Sequence, residues 1–155
     1  MSKQRKLEEV DEPTRRLIEQ ASAARANAHA PYSGFAVGAA VRTANGNLFL
    51  GCNVEISSYG LTMCAERVAL FAARTAGTDA VEAVAIVGPG SDADPTPPCG
   101  ACRQVLWDLA PEAEIYLATP QGEVRVTTVA DLLPEPFGPH QLQRGDDGER
   151  SGGAS

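Results

Sequence analysis

Residues Val81–Val87 form a nearly continuous apolar run, Val-Glu-Ala-Val-Ala-Ile-Val. A strand of that kind is buried on both faces, so the sheet that holds it needs helices above and below. The flanking chain supplies them. Leu17, Ile18, Ala21, Ala24 and Ala28 fall on one face of a helix that Asp11 can cap, that has Pro13 in its first turn and that stops at Pro31. Residues 37–42 and Leu48–Cys52 read as two strands, and the Asn45-Gly46 between them is a strong hairpin signal. A second helix starts near Met63 and ends before Gly77, and a third runs from about Gly100 to Leu109. Strands follow at Glu114–Ala118 and at residues 123–126, and Thr128 caps a small helix reaching Leu133. The order α-β-β-α-β-α-β-β-α predicts an α/β fold with a mixed five-stranded sheet covered on both faces.

A length of 155 residues suits one domain with a single core. Residues 1–12 are polar and charged and read as a flexible lead-in, residues 13–137 as the folded domain, and the Gly-, Asp- and Ser-rich residues 138–155 as a disordered tail. The basic start Ser2-Lys3-Gln4-Arg5-Lys6 leads into Leu7-Glu8-Glu9 and not into an apolar stretch, so it does not read as a secretory signal. No run is apolar enough for a membrane helix, and the expected location is the cytoplasm. The net charge of −7 argues against a nucleic-acid partner, because phosphate neutralisation needs clustered Lys and Arg. A small neutral substrate fits that charge. In a reducing compartment the four cysteines are expected as metal ligands, nucleophiles or buried apolar residues before disulfides.

Chemistry is concentrated in two segments, Met63-Cys64-Ala65-Glu66-Arg67 and Pro97-Pro98-Cys99-Gly100-Ala101-Cys102-Arg103-Gln104. Each places cysteine at the start of an expected helix, where free backbone N–H groups and the helix dipole favour the metal-binding thiolate. Cys99 and Cys102 have the spacing of a zinc chelate turn, and Cys64 completes a three-thiolate set. Three protein ligands leave tetrahedral Zn²⁺ one position for water, as catalytic sites do. Arg67 and Arg103 are placed to offset the thiolate charge, and Glu66 is spaced to reach that water without ligating the metal. A Cys-x-Glu followed by Pro-Cys-x-x-Cys is the pattern of hydrolytic deamination, with the glutamate as the proton shuttle. Other readings are a structural four-cysteine site that includes Cys52, a Cys-x-x-Cys redox pair, and a zinc module that uses the metal only to fold. His29 and His140 lie outside any ligand spacing.

With those motifs the chain resembles the small homotetrameric cytidine deaminases. The resemblance is carried by Pro31-Tyr32-Ser33-Gly34-Phe35-Ala36-Val37-Gly38-Ala39-Ala40, Gly51-Cys52-Asn53-Val54-Glu55, Cys64-Ala65-Glu66-Arg67 and Pro98-Cys99-Gly100-Ala101-Cys102-Arg103-Gln104, from roughly residue 14 to 137. It implies a three-layer α/β/α sandwich, one Zn²⁺ per subunit on Cys64, Cys99 and Cys102, and hydrolysis of cytidine or 2′-deoxycytidine. Carried over by position, Asn53 and Glu55 with Val54 between them hold the ribose 3′-hydroxyl. Phe35 stacks on the pyrimidine, the Ala65 backbone orients the base, and Phe137 closes the pocket. The segment containing Ser57 and Tyr59 reaches a neighbouring subunit's site in a homotetramer. Ile56 stands where the family pattern has an amide, which leaves tolerance of a modified base or sugar open. The nearest enzymatic alternative is a deaminase of a cytosine-nucleoside antibiotic of the blasticidin S type.

Overall fold

The structure, a computed structural model, describes residues 2–78, 80–91 and 94–142. Its chain order is β1 (Lys3–Lys6), α1 (Glu12–Arg25), β2 (Gly38–Thr43), β3 (Leu48–Cys52), α2 (Ala65–Thr75), β4 (Val81–Val87), α3 (Gly100–Leu109), β5 (Glu114–Ala118), β6 (Glu123–Thr128), α4 (Val129–Leu132) and α5 (Pro139–Leu142). The strands form one mixed sheet in the order β1-β6-β5-β4-β2-β3. β4 and β5 are parallel, and the other neighbouring pairs are antiparallel.

The alternation of side chains along the central strands divides the core into two layers. Val41, Val84, Ile86, Ile115 and Leu117 face α2 and α3, where they pack with Ala69, Leu70 and Leu106. Ala40, Ala83, Ala85, Ala118 and Val124 face the other way, toward Leu17, Ile18 and Ala21 of α1. The alanines on that face leave room for α1 to lie close to the sheet, while branched residues fill the wider space opposite. This is the expected three-layer α/β/α sandwich.

Most boundaries agree with the sequence reading. Asp11 caps α1 by accepting from Thr14 N at 2.9 Å, and Gly46 takes a positive φ of 84° in the β2–β3 turn. There are three corrections. The sheet has six strands, because Lys3–Lys6 of the expected lead-in pair antiparallel with β6. Every side chain of β1 is exposed, so no apolar alternation marked it. Helix α1 ends at Arg25, before Ala28, because the chain leaves the helix to pair with β3's extension: His29 N donates to Asn53 O at 2.9 Å. In the expected disordered tail Pro139–Leu142 form a helical turn, and the remainder, 143–155, lies outside the described residues.

Two glycines set how closely the helices approach. A Cβ on Gly38 would fall on the Ala21 carbonyl oxygen of α1, and one on Gly51 would fall on the Ala65 carbonyl oxygen of α2 and 2.6 Å from Ala69 N. Neither neighbour can move alone, since both are helix backbone. Gly51→Ala is therefore expected to push the first turn of α2 off the sheet and to destabilise the fold by more than about 2 kcal/mol in urea unfolding. Unchanged stability would show that α2 does not rest on this contact.

Candidate active site

Helices α2 and α3 start side by side, and each begins on a cysteine. Cys64 is the N-cap of α2 and Cys99 the N-cap of α3, both with extended backbone, and Cys102 lies in the first turn of α3. Pro97 and Pro98 favour the extended entry to Cys99. The three sulfurs lie within 4.8 Å of one another, with Cys64 Sγ and Cys99 Sγ 3.8 Å apart. Both helix N-termini thus point their partial positive charge at one cluster. Cys52 stands outside it, its thiol directed at the Asn27 carbonyl at 3.4 Å, so a four-cysteine structural site is not formed.

The electrostatics of the cluster are those of a metal centre. A thiol hydrogen bond from Cys102, with further help from Arg67 and Cys99, lowers the Cys64 pKa to about 5. The Cys102 thiol is pushed in the opposite direction by that same bond and by burial. Arg67 Nη2 donates to Cys64 Sγ at 3.4 Å, while Arg67 Nε is buried without a hydrogen-bond partner. Three thiolates on Zn²⁺ would leave one negative charge, and the Arg67 guanidinium supplies one positive charge to answer it. Soft sulfur donors, close spacing and a half-buried counter-charge fit zinc.

Glu66 is only 4% exposed. Burial raises its pKa to about 7, and the Cys64 charge adds to that shift. A carboxyl poised near neutrality can both take and give a proton. Ala65, fully buried beside it, opens the helix with its backbone N–H in the first turn.

The expected substrate residues gather around a loop at residues 31–37. Asn53 is buried, and its amide is bound to that loop: Oδ1 accepts from Val37 N at 2.8 Å and Nδ2 donates to Phe35 O at 2.7 Å. Glu55 accepts from the Ser33 hydroxyl, from Tyr32 N at 2.9 Å and from Ser33 N at 3.3 Å. The Ser33 bond, foremost, holds the Glu55 pKa below its ordinary value. Val54 exchanges backbone bonds with Met63, which ties this extension to the start of α2. Phe35 is 43% exposed at the tip of the loop. Tyr59 is exposed and packs edge-on against Tyr32 at 5.7 Å, and Ser57 lies on the same exposed stretch. Neither is joined to the sulfur cluster by a bond within this chain. Arg103 does not serve the sulfurs as the sequence led us to expect: Nε donates to Pro98 O and Nη1 to Leu132 O, both at 2.9 Å.

The contacts of several contributors had no signal in the sequence, although Ser33 lies within a motif. Ser33 and Arg25, which donates to Ala36 O at 2.8 Å, shape the loop through backbone contacts that spacing does not reveal. Gln104 was visible only as part of a motif. Its amide reaches Phe137 O at 2.8 Å, far away in sequence.

Thiols held together for a metal, with a secluded acid beside them, give the site the make-up of a zinc-dependent hydrolase. Comparison with known proteins narrows the class. A model of the cytidine and deoxycytidylate deaminase zinc-binding region matches residues 11–118. The chain is 48% identical over 122 residues to the cytidine deaminase of Halalkalibacterium halodurans, covering 78% of this chain and 91% of that protein. It is 44% identical over 125 residues to the cytidine deaminase of Mycobacterium tuberculosis, covering 80% and 89% respectively. The crystal structure of cytidine deaminase from Burkholderia pseudomallei superposes with a TM-score of 0.76 at 54% identity, covering 79% of this chain and 97% of that one. The chain belongs to the cytidine and deoxycytidylate deaminase family.

Because Cys102 keeps its proton in the metal-free cluster, zinc uptake at neutral pH is expected to release protons and to weaken as pH falls. Titration with zinc in weak buffer reads this directly. Cys99→Ala should abolish stoichiometric binding, and a variant retaining tight zinc would remove Cys99 from the ligand set.

Proposed function

We propose that this protein is a zinc-dependent deaminase of cytidine and 2′-deoxycytidine, releasing ammonia and the corresponding uridine. The observation that carries the reading is the convergence of Cys64, Cys99 and Cys102 beside the buried carboxyl of Glu66. Relatives named cytidine deaminase, matched over about nine-tenths of their length, support a nucleoside and not a nucleic acid as substrate. In this reading the three cysteines hold one zinc ion per subunit, within a catalytic unit spanning residues 13–137. Bound there, zinc supplies Lewis-acid activation of water near neutral pH.

The chain's own residues then do the following work. Glu66 takes a proton from the attacking water and delivers it to the ring nitrogen next to the amidine carbon. The second proton, from the new hydroxyl on that carbon, passes through the same carboxyl to the departing amine. Arg67 keeps the thiolate charge balanced and so holds Cys64 in place. Asn53 and Glu55 position the sugar: Glu55 stays anionic through the neutral range and retains lone pairs for a hydroxyl, and the Asn53 amide carries a second N–H. Val54 keeps these two on the same side of the extended segment. The Ala65 N–H orients the base, Phe35 stacks on it, and Phe137 closes the pocket.

Glu66→Gln tests the chemistry. Turnover should fall by at least about a thousandfold with zinc content and fold retained, because a neutral amide cannot carry the proton. The wild-type enzyme should release ammonia from cytidine and deoxycytidine in preference to cytidylate, cytosine and N4-substituted cytidines. Undiminished ammonia release by the variant would overturn the proton-shuttle role of Glu66, and preference for the nucleotide or free base would overturn the substrate class.

The assembly in this reading is a homotetramer, with Ser57 and Tyr59 reaching a neighbour's site. Tyr32, Tyr59 and Leu61 are 53%, 73% and 67% exposed, a run of bare apolar surface that favours cover by another subunit. Light scattering should report four chains, and Tyr59→Ala should lower both the mass and the activity. A fully active monomer would refute it. All four cysteines are free thiols, which suits the reducing cytoplasm, and cell fractionation reads that placement. Among the described residues no helix is long and apolar enough to cross a membrane.

A further inference from the structure

Helix α3 faces the sulfur cluster with Cys102 and buries Leu106 in the core. Its outward side makes a different set of contacts. Consecutive residues Arg103 and Gln104 reach the last residue of α4 and a point on the segment that follows it. Arg103 Nη1 holds the carbonyl of Leu132 at 2.9 Å, and Gln104 Nε2 holds the carbonyl of Phe137 at 2.8 Å. Between those anchors lie Leu133, Pro134, Glu135 and Pro136. Two prolines in four residues fix half of the φ angles, so the span behaves as a short stiff strap and not as a loose loop.

The Gln104 amide is itself set by a third group. Nε2 also donates to Asp108 Oδ2 at 3.1 Å, one helical turn further on. A carboxylate and a carbonyl both accept hydrogen bonds, so the NH₂ end of the amide must face the strap. Gln104 stands one turn after Gly100 on α3, directly above the turn that carries Cys99. The ring of Phe137, in contrast, is 56% exposed. An aromatic ring is thus left bare while the backbone that carries it is fastened.

We propose that Gln104 is a positioning residue: it fixes the backbone of Phe137 so that the ring is presented as a wall of the substrate pocket. The inference rests on the reading given above that Phe137 closes that pocket. Gln104 does not touch the reacting atoms. It acts through Phe137, and Asp108 acts through Gln104.

A double-mutant cycle tests this on the zinc-loaded enzyme with cytidine as substrate. Gln104→Met keeps the length and helix preference of the side chain and removes the donor. It should raise KM by roughly three- to tenfold, the effect of one lost hydrogen bond, and leave kcat within about twofold. Phe137→Ala should raise KM at least as much, and the double variant should match Phe137→Ala alone. Multiplied KM effects in the double variant would mean that Gln104 works independently of Phe137 and would overturn the inference while leaving the role of Phe137 intact. An unchanged KM in Phe137→Ala would overturn both. Zinc content and thermal midpoint are measured alongside. If Gln104→Met disturbs either, Asp108→Ala on the helix surface replaces it in the cycle, with a smaller KM rise and the same non-additivity expected.

Discussion

Three sulfurs within 4.8 Å of one another set an electrostatic problem that the surrounding fold answers. Thiolates at that spacing repel strongly, and burial worsens the repulsion by removing water. The fold meets this with two helix N-termini and one guanidinium. Because Cys64 and Cys99 are themselves N-caps, neither helix can shift without moving a sulfur. The separation of α2 from α3 is thereby tied to the sulfur cluster, and the height of α2 above the sheet to the missing side chain at Gly51. The protonation pattern follows from the same arrangement. Cys64 is already anionic because Cys102 donates to it, and Cys102 is held protonated for the same reason. The cluster is therefore partly prepared for zinc before zinc arrives.

Those features were legible in the sequence because they are local. A Cys-x-Glu and a Pro-Cys-x-x-Cys at helix starts fix which groups can converge, whatever the rest of the chain does. The central strands were equally plain, since Val81–Val87 has no other sensible place than the middle of a covered sheet. β1 was not legible. Lys-Gln-Arg-Lys has neither strand propensity nor an apolar face, and it pairs only because β6 offers an open edge. The early end of α1 was hidden for a related reason. Residues 26–30 continue a helical pattern, but His29 gains backbone bonds from Asn53 and Glu55 that no local preference encodes.

Arg103 shows the limit most clearly. Its position beside Cys102 made it a natural donor to sulfur. Helical geometry turns it away, toward Pro98 and Leu132, where it secures the loop that delivers Cys99. Asn53 and Glu55 carry a similar lesson with a different outcome. Side chains expected to meet a sugar also fasten the backbone of residues 32–37. A polar group in a pocket wall has several lone pairs and hydrogens, and the protein uses some of them to fix the wall before a ligand uses the rest.

That double use explains why the pocket rim can be built from loops. Loops are ordinarily the mobile part of a domain, yet positioning a base needs tolerances well below an ångström. Here each loop element is fastened by a side chain from a regular element or its direct extension: Arg25 at the end of α1, Asn53 and Glu55 just past β3, Arg103 and Gln104 on α3. These contacts lead back to α1, to α3 or to the end of β3, so the rim inherits its rigidity from the helices and the sheet that frame the sulfurs. A change in the metal cluster would reach the rim through α3. The path also runs back, since Arg103 secures Pro98 beside Cys99 and Val54 is bonded to Met63 beside Cys64. Substitution at an exposed rim residue such as Ile56 removes no sulfur, whereas substitution at Cys64 or Cys99 does, so the metal centre is expected to tolerate the first far better.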